Sequence, residues 1–369
     1  MQKQGSYLLF LTLFLILIKS TPLYAEEKPA FEEYHSQLEM EYFVPFLTYD
    51  GSFNLATYCK MSSVLRDQEL QFMLSAAGEE FNFVLGYTFH TPYWSYGLNF
   101  YRMPVYTGPI WASGFFELQS GGSFLVSRHI NNENRVDLRL QFENFSPLSL
   151  APPFPVESGS LLGFEATATH DGFSFFAQKG HRGYISIAGA APLLGTDYNY
   201  IKVEVDNRNY FPLNARTSLI LSERGGKIWG TYPIHRGFSL GGIQQVSMSS
   251  LGTLTNIGLL GTLADTVLRG YPEYYFKGDG FLLGNFELRT LLWPSEYRKL
   301  RGTGLTLVLF SDAAIVWKAG TKITPSPAIG AGIGLKFFFF GLNIGLDYGI
   351  SYNTPGVSPR WHFSIGEVF

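Results

Sequence analysis

The chain has 369 residues, of which 46% are hydrophobic, 17% aromatic and only 15% charged, with a formal net charge of −3. Soluble domains carry about 25% charged residues, so this composition disfavours an ordinary soluble domain. The slightly acidic balance gives no sign of nucleic-acid binding. Because Cys59 is the single cysteine, the sequence excludes a disulfide framework and a thiolate metal site within one chain.

The N-terminus has the features of a secretory signal peptide. Lys3 supplies the positive start, residues 8–18 form an apolar run too short to span a bilayer as a helix, and a small-residue cleavage site ends at Ala25. No second long apolar run follows, which excludes a helical membrane protein. The sequence predicts three segments, namely a signal peptide at 1–25, a short periplasmic lead at 26–38 and one β-structured domain at 39–369.

From Glu39 onward, segments of about ten residues with period-two character recur between turn signals. The turn signals include Asp50-Gly51, Asn131-Asn132-Glu133-Asn134, Asp171-Gly172 and Gly225-Gly226. Charged and polar residues alternate with Val, Leu, Ile and Phe within 135–143 and 201–206. A soluble β-sandwich would turn such charged faces to water, whereas a transmembrane barrel turns them to its lumen. The low total charge and dense aromatic content favour an all-β, antiparallel outer-membrane barrel.

The segment from Leu268 to Arg289 combines an Arg-Gly-aromatic turn with a two-faced strand. The strand places Phe286 on one face and Glu287 on the other. We therefore predict that the turn, formed by Arg269, Gly270 and Tyr271, folds into the barrel and that a wall carboxylate holds Arg269. The alternative is an ordinary surface hairpin, because the same tripeptide occurs twice more, at Arg182-Gly183-Tyr184 and Arg236-Gly237-Phe238.

Two further stretches have a predictable orientation. Phe310 and Asp312 share one strand face while Leu309 and Ala313 take the other, and an isolated aspartate facing lipid would be costly. Asp312 is therefore predicted to point inward. The run Phe337 to Phe340 is either a binding patch or an aromatic girdle at a membrane interface, and the girdle is favoured.

The order of motifs in the last part of the chain resembles a known family. The motifs are Tyr210-Phe211-Pro212-Leu213, Phe238-Ser239-Leu240-Gly241-Gly242, Leu268-Arg269-Gly270-Tyr271, Gly284-Asn285-Phe286-Glu287-Leu288-Arg289, Phe310-Ser311-Asp312 and Gly345-Leu346-Asp347-Tyr348. This series resembles the barrel half of the bacterial surface antigen family, the superfamily of the outer-membrane insertase BamA and the two-partner secretion transporters. The resemblance covers about residues 198–369.

The resemblance implies a 16-stranded barrel in which Arg269 of an inward-folded loop pairs with Asp312 and, as a second partner, with Glu287. About 21 residues are then available for each strand and its connection, enough for strands of about 9–11 residues. The terminal strand resembles the signal by which such chains are recognised for insertion, although Glu367 interrupts its apolar face. The residues of that face are Trp361, Phe363, Ile365 and Phe369.

The sequence departs from the family pattern in two places. The 26–38 lead is too short for the periplasmic polypeptide-transport-associated domains that the family places before its barrel, and residues 243–267 form an unusually long insert. These departures leave two functions open. One is outer-membrane biogenesis (protein insertion, secretion or lipid movement), with client outer-membrane proteins, a separate periplasmic partner or further copies of the chain as partners. The other is a passive channel or structural surface barrel.

An enzymatic function is disfavoured. No nucleophile-elbow pattern surrounds any serine, and the seven histidines show no metal-ligand spacing. We expect no catalytic residue, metal, cofactor or nucleic-acid partner, and we expect outer-membrane lipid around the barrel after cleavage of the signal peptide.

Overall fold

The computed structural model describes most of the chain after residue 36. The described ranges are 37–49, 53–77, 80–107, 115–147, 158–172, 179–191, 196–233, 236–242, 267–272, 275–294, 304–318, 327–339, 342–352 and 356–365. Within them, sixteen strands form one antiparallel sheet in sequence order, and two short strands form a separate hairpin. The all-β, 16-stranded prediction is confirmed. Across these same ranges, no helix has the length and apolarity to cross a membrane.

The strands are numbered in chain order. Those of the large sheet are β1 (Leu38–Tyr49), β2 (Phe53–Ser63), β3 (Gln68–Ala77), β4 (Glu80–His90), β5 (Trp94–Thr107), β6 (Phe115–His129), β7 (Asn134–Pro147), β8 (Gly159–Asp171), β9 (Gly180–Ala190), β10 (Asn199–Pro212), β11 (Thr217–Thr231), β14 (Gly280–Pro294), β15 (Gly304–Trp317), β16 (Ala328–Phe339), β17 (Leu342–Tyr352) and β18 (Arg360–Ile365). The separate hairpin pairs β12 (Phe238–Leu240) with β13 (Phe276–Gly278).

The two ends of the barrel differ. Short turns at 64–67, 91–93, 130–133 and 213–216 join neighbouring strands at one end, which we call the short-turn end. The connection from β11 to β14, residues 232–279, leaves the opposite end and carries the β12–β13 hairpin. This connection supplies the Arg269 turn.

Side chains alternate between the outside and the lumen as the barrel interpretation predicts. On β7, Leu138 and Leu140 are 55% and 51% exposed on the outer face, whereas Glu143 is 2% exposed and points inward. Outward apolar and inward polar residues match a barrel in lipid rather than a sandwich in water.

An apolar core lies inside the barrel. Four of its residues come from the connection or its hairpin, namely Phe238, Leu240, Leu268 and Tyr271. They pack against inward residues of the wall, among them Phe145, Leu161, Tyr200, Ile228 and Phe281. The connection therefore enters the lumen and packs against the wall there.

One turn prediction is wrong. Gly225 and Gly226 lie within β11 rather than in a turn. A Cβ on Gly226 would lie 2.5 Å from the ring of Phe238 and 2.8 Å from that of Phe281. The glycine is needed because the lumen hairpin approaches the wall closely, which the sequence pattern does not distinguish from a turn. The predicted turns around Asn131 and after Asp171 do join strands.

The other sequence motifs have mixed outcomes. Arg182-Gly183-Tyr184 lies within β9, so the hairpin interpretation is wrong for this copy. Phe337 is exposed on the outer face, as are Trp361 and Phe363 of β18. Several predicted features lie outside the described residues: the signal peptide, nearly all of the 26–38 lead, the Asp50-Gly51 turn, residues 243–266 of the insert, Phe340 and Phe369. The side chains of Phe338, Phe339 and Ile365 lie outside them as well.

Candidate functional site

The Arg269 turn is held in the lumen by its own flanking segments. Gly242 and Leu268 form an isolated antiparallel bridge, with N–H to O=C distances of 3.0 and 3.2 Å. The side-chain amide of Asn285 on β14 donates to the carbonyl of Val267 at 2.9 Å. The backbone on both sides of the insert is therefore fixed immediately before the turn begins.

Arg269 is fully buried and bound to carboxylates on three strands. Its Nε and Nη2 donate to the two oxygens of Asp312 on β15 at 2.8 and 2.7 Å, a bidentate pair. Its backbone N–H also donates to Asp312, at 2.9 Å. Its Nη1 donates to Glu287 on β14 and lies 3.5 Å from an oxygen of Asp347 on β17. The structure thus brings together the three residues that the resemblance paired and adds Asp347.

Two further cations complete the charge cluster. Arg289 Nε donates to Glu287 at 2.7 Å, and Lys336 Nζ on β16 lies 3.1 Å from the same carboxylate. We call the six residues Arg269, Glu287, Arg289, Asp312, Lys336 and Asp347 the luminal charge cluster. It contains three cations and three anions, all buried. Buried charges are tolerated only when they are paired and hydrogen-bonded, so the removal of one member leaves another uncompensated.

The surroundings keep Arg269 charged. Burial acts to lower the pKa of its guanidinium, but Asp312 and Glu287 outweigh that effect and raise the pKa above its usual range. The guanidinium carbon also lies 3.7 Å from the centre of the Phe310 ring, a cation–π contact on the same strand as Asp312. Phe310 and Asp312 therefore hold the same side chain.

The backbone of the turn rests on glycines of the wall. Gly270 has a φ of 89°, which a residue with a Cβ rarely adopts. A Cβ on Gly330 of β16 would lie 1.8 Å from the carbonyl oxygen of Arg269. A Cβ on Gly349 of β17 would lie 2.6 Å from the Gly270 nitrogen. Both wall glycines are needed because the two backbones are in direct contact.

Two side chains complete the contacts between the turn and the wall. The Gly270 N–H donates to Nε2 of His362 on β18 at 2.9 Å. The Tyr271 hydroxyl lies 3.2 Å from the carbonyl oxygen of Ile329 and 3.3 Å from that of Tyr352. The Arg269–Gly270–Tyr271 turn therefore contacts every strand from β14 to β18.

A second arginine of the same connection reaches a different part of the wall. Arg236 Nη2 donates to Glu143 on β7 at 2.8 Å. Glu143 also accepts from Tyr101 on β5 at 3.0 Å and from Gln141 at 2.9 Å. The surface-hairpin interpretation of Arg236-Gly237-Phe238 is therefore wrong, because this copy points into the lumen. The connection is anchored at two places, on β7 and on β14–β18.

Sequence reasoning singled out only part of this site. It assigned roles to Arg269, Gly270, Tyr271, Glu287, Phe310 and Asp312, all of which meet in the lumen. It gave no role to Asp347, Lys336, His362 or the two wall glycines. Asp347 lies in one of the motifs that carry the family resemblance, and the only sequence signal of the others is that they share the inward parity of β16, β17 and β18. Within the described residues, no group of His, Cys, Asp and Glu is arranged to hold a metal ion.

Comparison with known proteins gives a family match and two structural likenesses. The profile of the Omp85 superfamily domain matches residues 66–369. The structure of BamA from Haemophilus ducreyi lacking POTRA domains 1–3 is similar with a TM-score of 0.65 and 14% identity, over 90% of this chain and 70% of that one. CdiB from Escherichia coli is similar with a TM-score of 0.52 and 13% identity, over 90% of this chain and 67% of that one. At such identities the likeness shows a shared fold. No curated protein matches the sequence.

Proposed function

Because the chain belongs to the Omp85 superfamily, whose barrels are outer-membrane proteins of Gram-negative bacteria, we propose that it acts in outer-membrane biogenesis by assisting the insertion of other barrels. Secretion and lipid movement are the other forms that such a role can take. Such a role requires no covalent chemistry from the chain. Its clients would be unfolded outer-membrane proteins, received directly or through a separate periplasmic partner.

One observation carries the proposal: the Arg269 turn is bound to all of β14–β18. Arg269 alone contacts carboxylates on β14, β15 and β17. A passive pore needs an open lumen. In this chain, by contrast, the luminal charge cluster holds a turn of the connection inside the lumen. The contacts fix the relative positions of the last strands, which supports a role for this part of the wall in the activity.

Reconstitution of the full chain in liposomes tests the proposal. An unfolded eight-stranded outer-membrane protein is added, and its folding is followed by the change in its gel mobility without heating. We expect the wild-type chain to accelerate folding over empty liposomes and Arg269→Ala to lose most of the acceleration. The control is Arg66→Ala, which removes an arginine with 72% of its side chain exposed. Equal rates in wild-type and empty liposomes would refute the insertion role.

Planar-bilayer recording then separates insertion from the channel function. A lumen occupied by the connection should give small, flickering conductance, whereas a passive channel gives a large and steady one. A large steady conductance together with no effect on client folding would support the channel. In-cell crosslinking to a soluble periplasmic protein or to nascent barrels would identify the partner.

A further inference from the structure

A polar row crosses the membrane-facing side of the barrel. Six outward residues pair in register from β7 to β14 and form the row: Asn134, His170, Gly183, Asn207, Glu223 and Gly284. None of them has a large apolar side chain. The next row toward the opposite end is entirely apolar and consists of Val136, Ala168, Ile185, Val205, Gly225 and Leu282. The polar row is therefore a local break in the apolar band that such a barrel presents to lipid.

The row rises from the short-turn end toward the middle of the barrel. Asn134 is the first residue of β7 and follows the 130–133 turn. Glu223 is the seventh of the fifteen residues of β11, beside the midpoint of that strand. Because barrel strands are tilted, a row that is perpendicular to the strands climbs along the barrel axis. The row therefore leads from the edge of the membrane into its hydrocarbon region.

Hydrogen bonds and ring stacking link the polar side chains. Asn134 Oδ1 lies 3.0 Å from Nδ1 of His170, and the His170 ring stacks on that of His181 with a centroid distance of 4.9 Å. His181 Nε2 lies 2.6 Å from Oδ1 of Asn207. The amide nitrogen of Asn207 donates to Glu223 Oε2 at 3.2 Å. Gly183 has no side chain, and a Cβ there would lie 2.5 Å from the carbonyl oxygen of Asp206.

Glu223 ends this chain of contacts as an exposed carboxylate that pairs with no cation among the described residues. Within the described part of the protein, its polar partner is the neutral amide of Asn207. A carboxylate that faces hydrocarbon is unfavourable, and an opposite charge offsets that cost. The described residues supply no such charge, and the carboxylate faces outward, which points to the membrane side as the source of the complementary group.

A cavity of about 290 Å³ adjoins Glu223. Its lining includes Leu282, Gly284, Ala313 and Ile315, and a Cβ on Gly284 would have no atom within 4 Å. Arg224 also borders the cavity, but its side chain is buried on the luminal side and lies 2.9 Å from Asp206. The outer side of the cavity thus combines one carboxylate with apolar walls, a combination that fits a small cation carried on methylene groups.

We propose that the row from Asn134 to Glu223 and the adjoining cavity bind a phospholipid with a primary ammonium headgroup. The ammonium donates to Glu223, the apolar walls of the cavity contact the two methylene groups beside the ammonium, and the polar row lets the zwitterionic headgroup enter from the membrane edge. An ammonium is a compact cation with three N–H donors, which matches a carboxylate with free lone pairs. The inference requires only a membrane-embedded barrel and is independent of the insertion role.

Native mass spectrometry of the full chain tests this site. The protein is released from nanodiscs that contain phosphatidylethanolamine, phosphatidylcholine and phosphatidylglycerol in equal parts with matched acyl chains. We expect wild type to retain phosphatidylethanolamine about tenfold over the other two, the size expected of one charge-assisted hydrogen bond. Glu223→Gln should abolish the preference. Glu133→Gln, which neutralises an exposed carboxylate in a turn, should keep it.

A second variant tests whether misfolding, rather than loss of the site, explains a lost lipid preference. Gly284→Ile fills the cavity from the outer face and leaves Glu223 in place, and it should also lower retention of phosphatidylethanolamine. Gel mobility without heating confirms that each variant is a folded barrel. Wild type without headgroup preference, or folded Glu223→Gln with the wild-type preference, would overturn the site. Loss of a co-purified membrane protein in Glu223→Gln, with lipid retention unchanged, would overturn the lipid assignment.

Discussion

Gly330→Ala should release the Arg269 turn from the wall. The added methyl would lie 1.8 Å from the carbonyl oxygen of Arg269, whereas ordinary contacts begin at 3.4 Å. The hydrogen bonds from Arg269 to Asp312, at 2.7 and 2.8 Å, cannot survive the displacement needed to relieve that overlap. Breaking a buried ion pair costs about 3–5 kcal/mol, which increases the population of the released turn by about 100-fold or more.

Limited proteolysis measures that population. Trypsin cleaves after arginine, and the bond after Arg269 is inaccessible while the turn is buried. When opening is fast relative to cleavage, the cleavage rate follows the open population, so we expect cleavage after Arg269 to accelerate by about 100-fold. The matched control is Gly284→Ala, because a Cβ there meets no atom within 4 Å. If Gly330→Ala were cleaved after Arg269 as slowly as wild type, the backbone-contact argument would be wrong.

Three further variants test the two anchors of the connection. Arg269→Lys keeps the charge but loses the bidentate geometry, so the free energy of unfolding in urea should fall by about 1–3 kcal/mol. Unchanged stability would contradict the role of the bidentate Arg269–Asp312 pair. Glu287→Gln leaves three cations with two carboxylates and should cost about 3–5 kcal/mol, seen as a lower urea midpoint at an unchanged slope. Arg236→Ala should raise the mean planar-bilayer conductance and leave trypsin cleavage after Arg269 slow, since the β14–β18 contacts remain; rapid cleavage there would show that the two anchors are coupled.

The sequence predicted the strand pattern and the inward orientation of Asp312 for a clear physical reason, whereas the pairing of Asp312 with Arg269 was implied by the resemblance to the family. Alternation fixes the inward face of a strand, and an aspartate in a membrane barrel has to use that face. The same rule places Asp347 and Lys336 on the luminal face. Strand parity does not, however, tell how far these side chains lie from the Arg269 turn. Only the strand order brings β16 and β17 beside Arg269, and one sequence does not specify how far the loop reaches.

Glycines were the main source of error. Gly225-Gly226 has the composition of a turn, yet both residues lie in β11, and a Cβ on Gly226 would lie 2.5 Å from the Phe238 ring. Gly330 and Gly349 carry no turn signal and are needed because the backbone of the Arg269 turn approaches them closely. The outward polar row was missed because it depends on the register of six strands, which is invisible in any single segment.

The bridge between Gly242 and Leu268 has a consequence for how this barrel tolerates change. The bridge pairs the residues on either side of the 243–267 insert, so both ends of the insert start from one fixed point. The entropy cost of closing a loop grows only slowly with its length. An engineered epitope or reporter inserted beyond this bridge should therefore leave the reach of the chain to Arg269 unchanged. Changes in the length of this segment are thereby uncoupled from the Arg269 turn, which the wall holds in place.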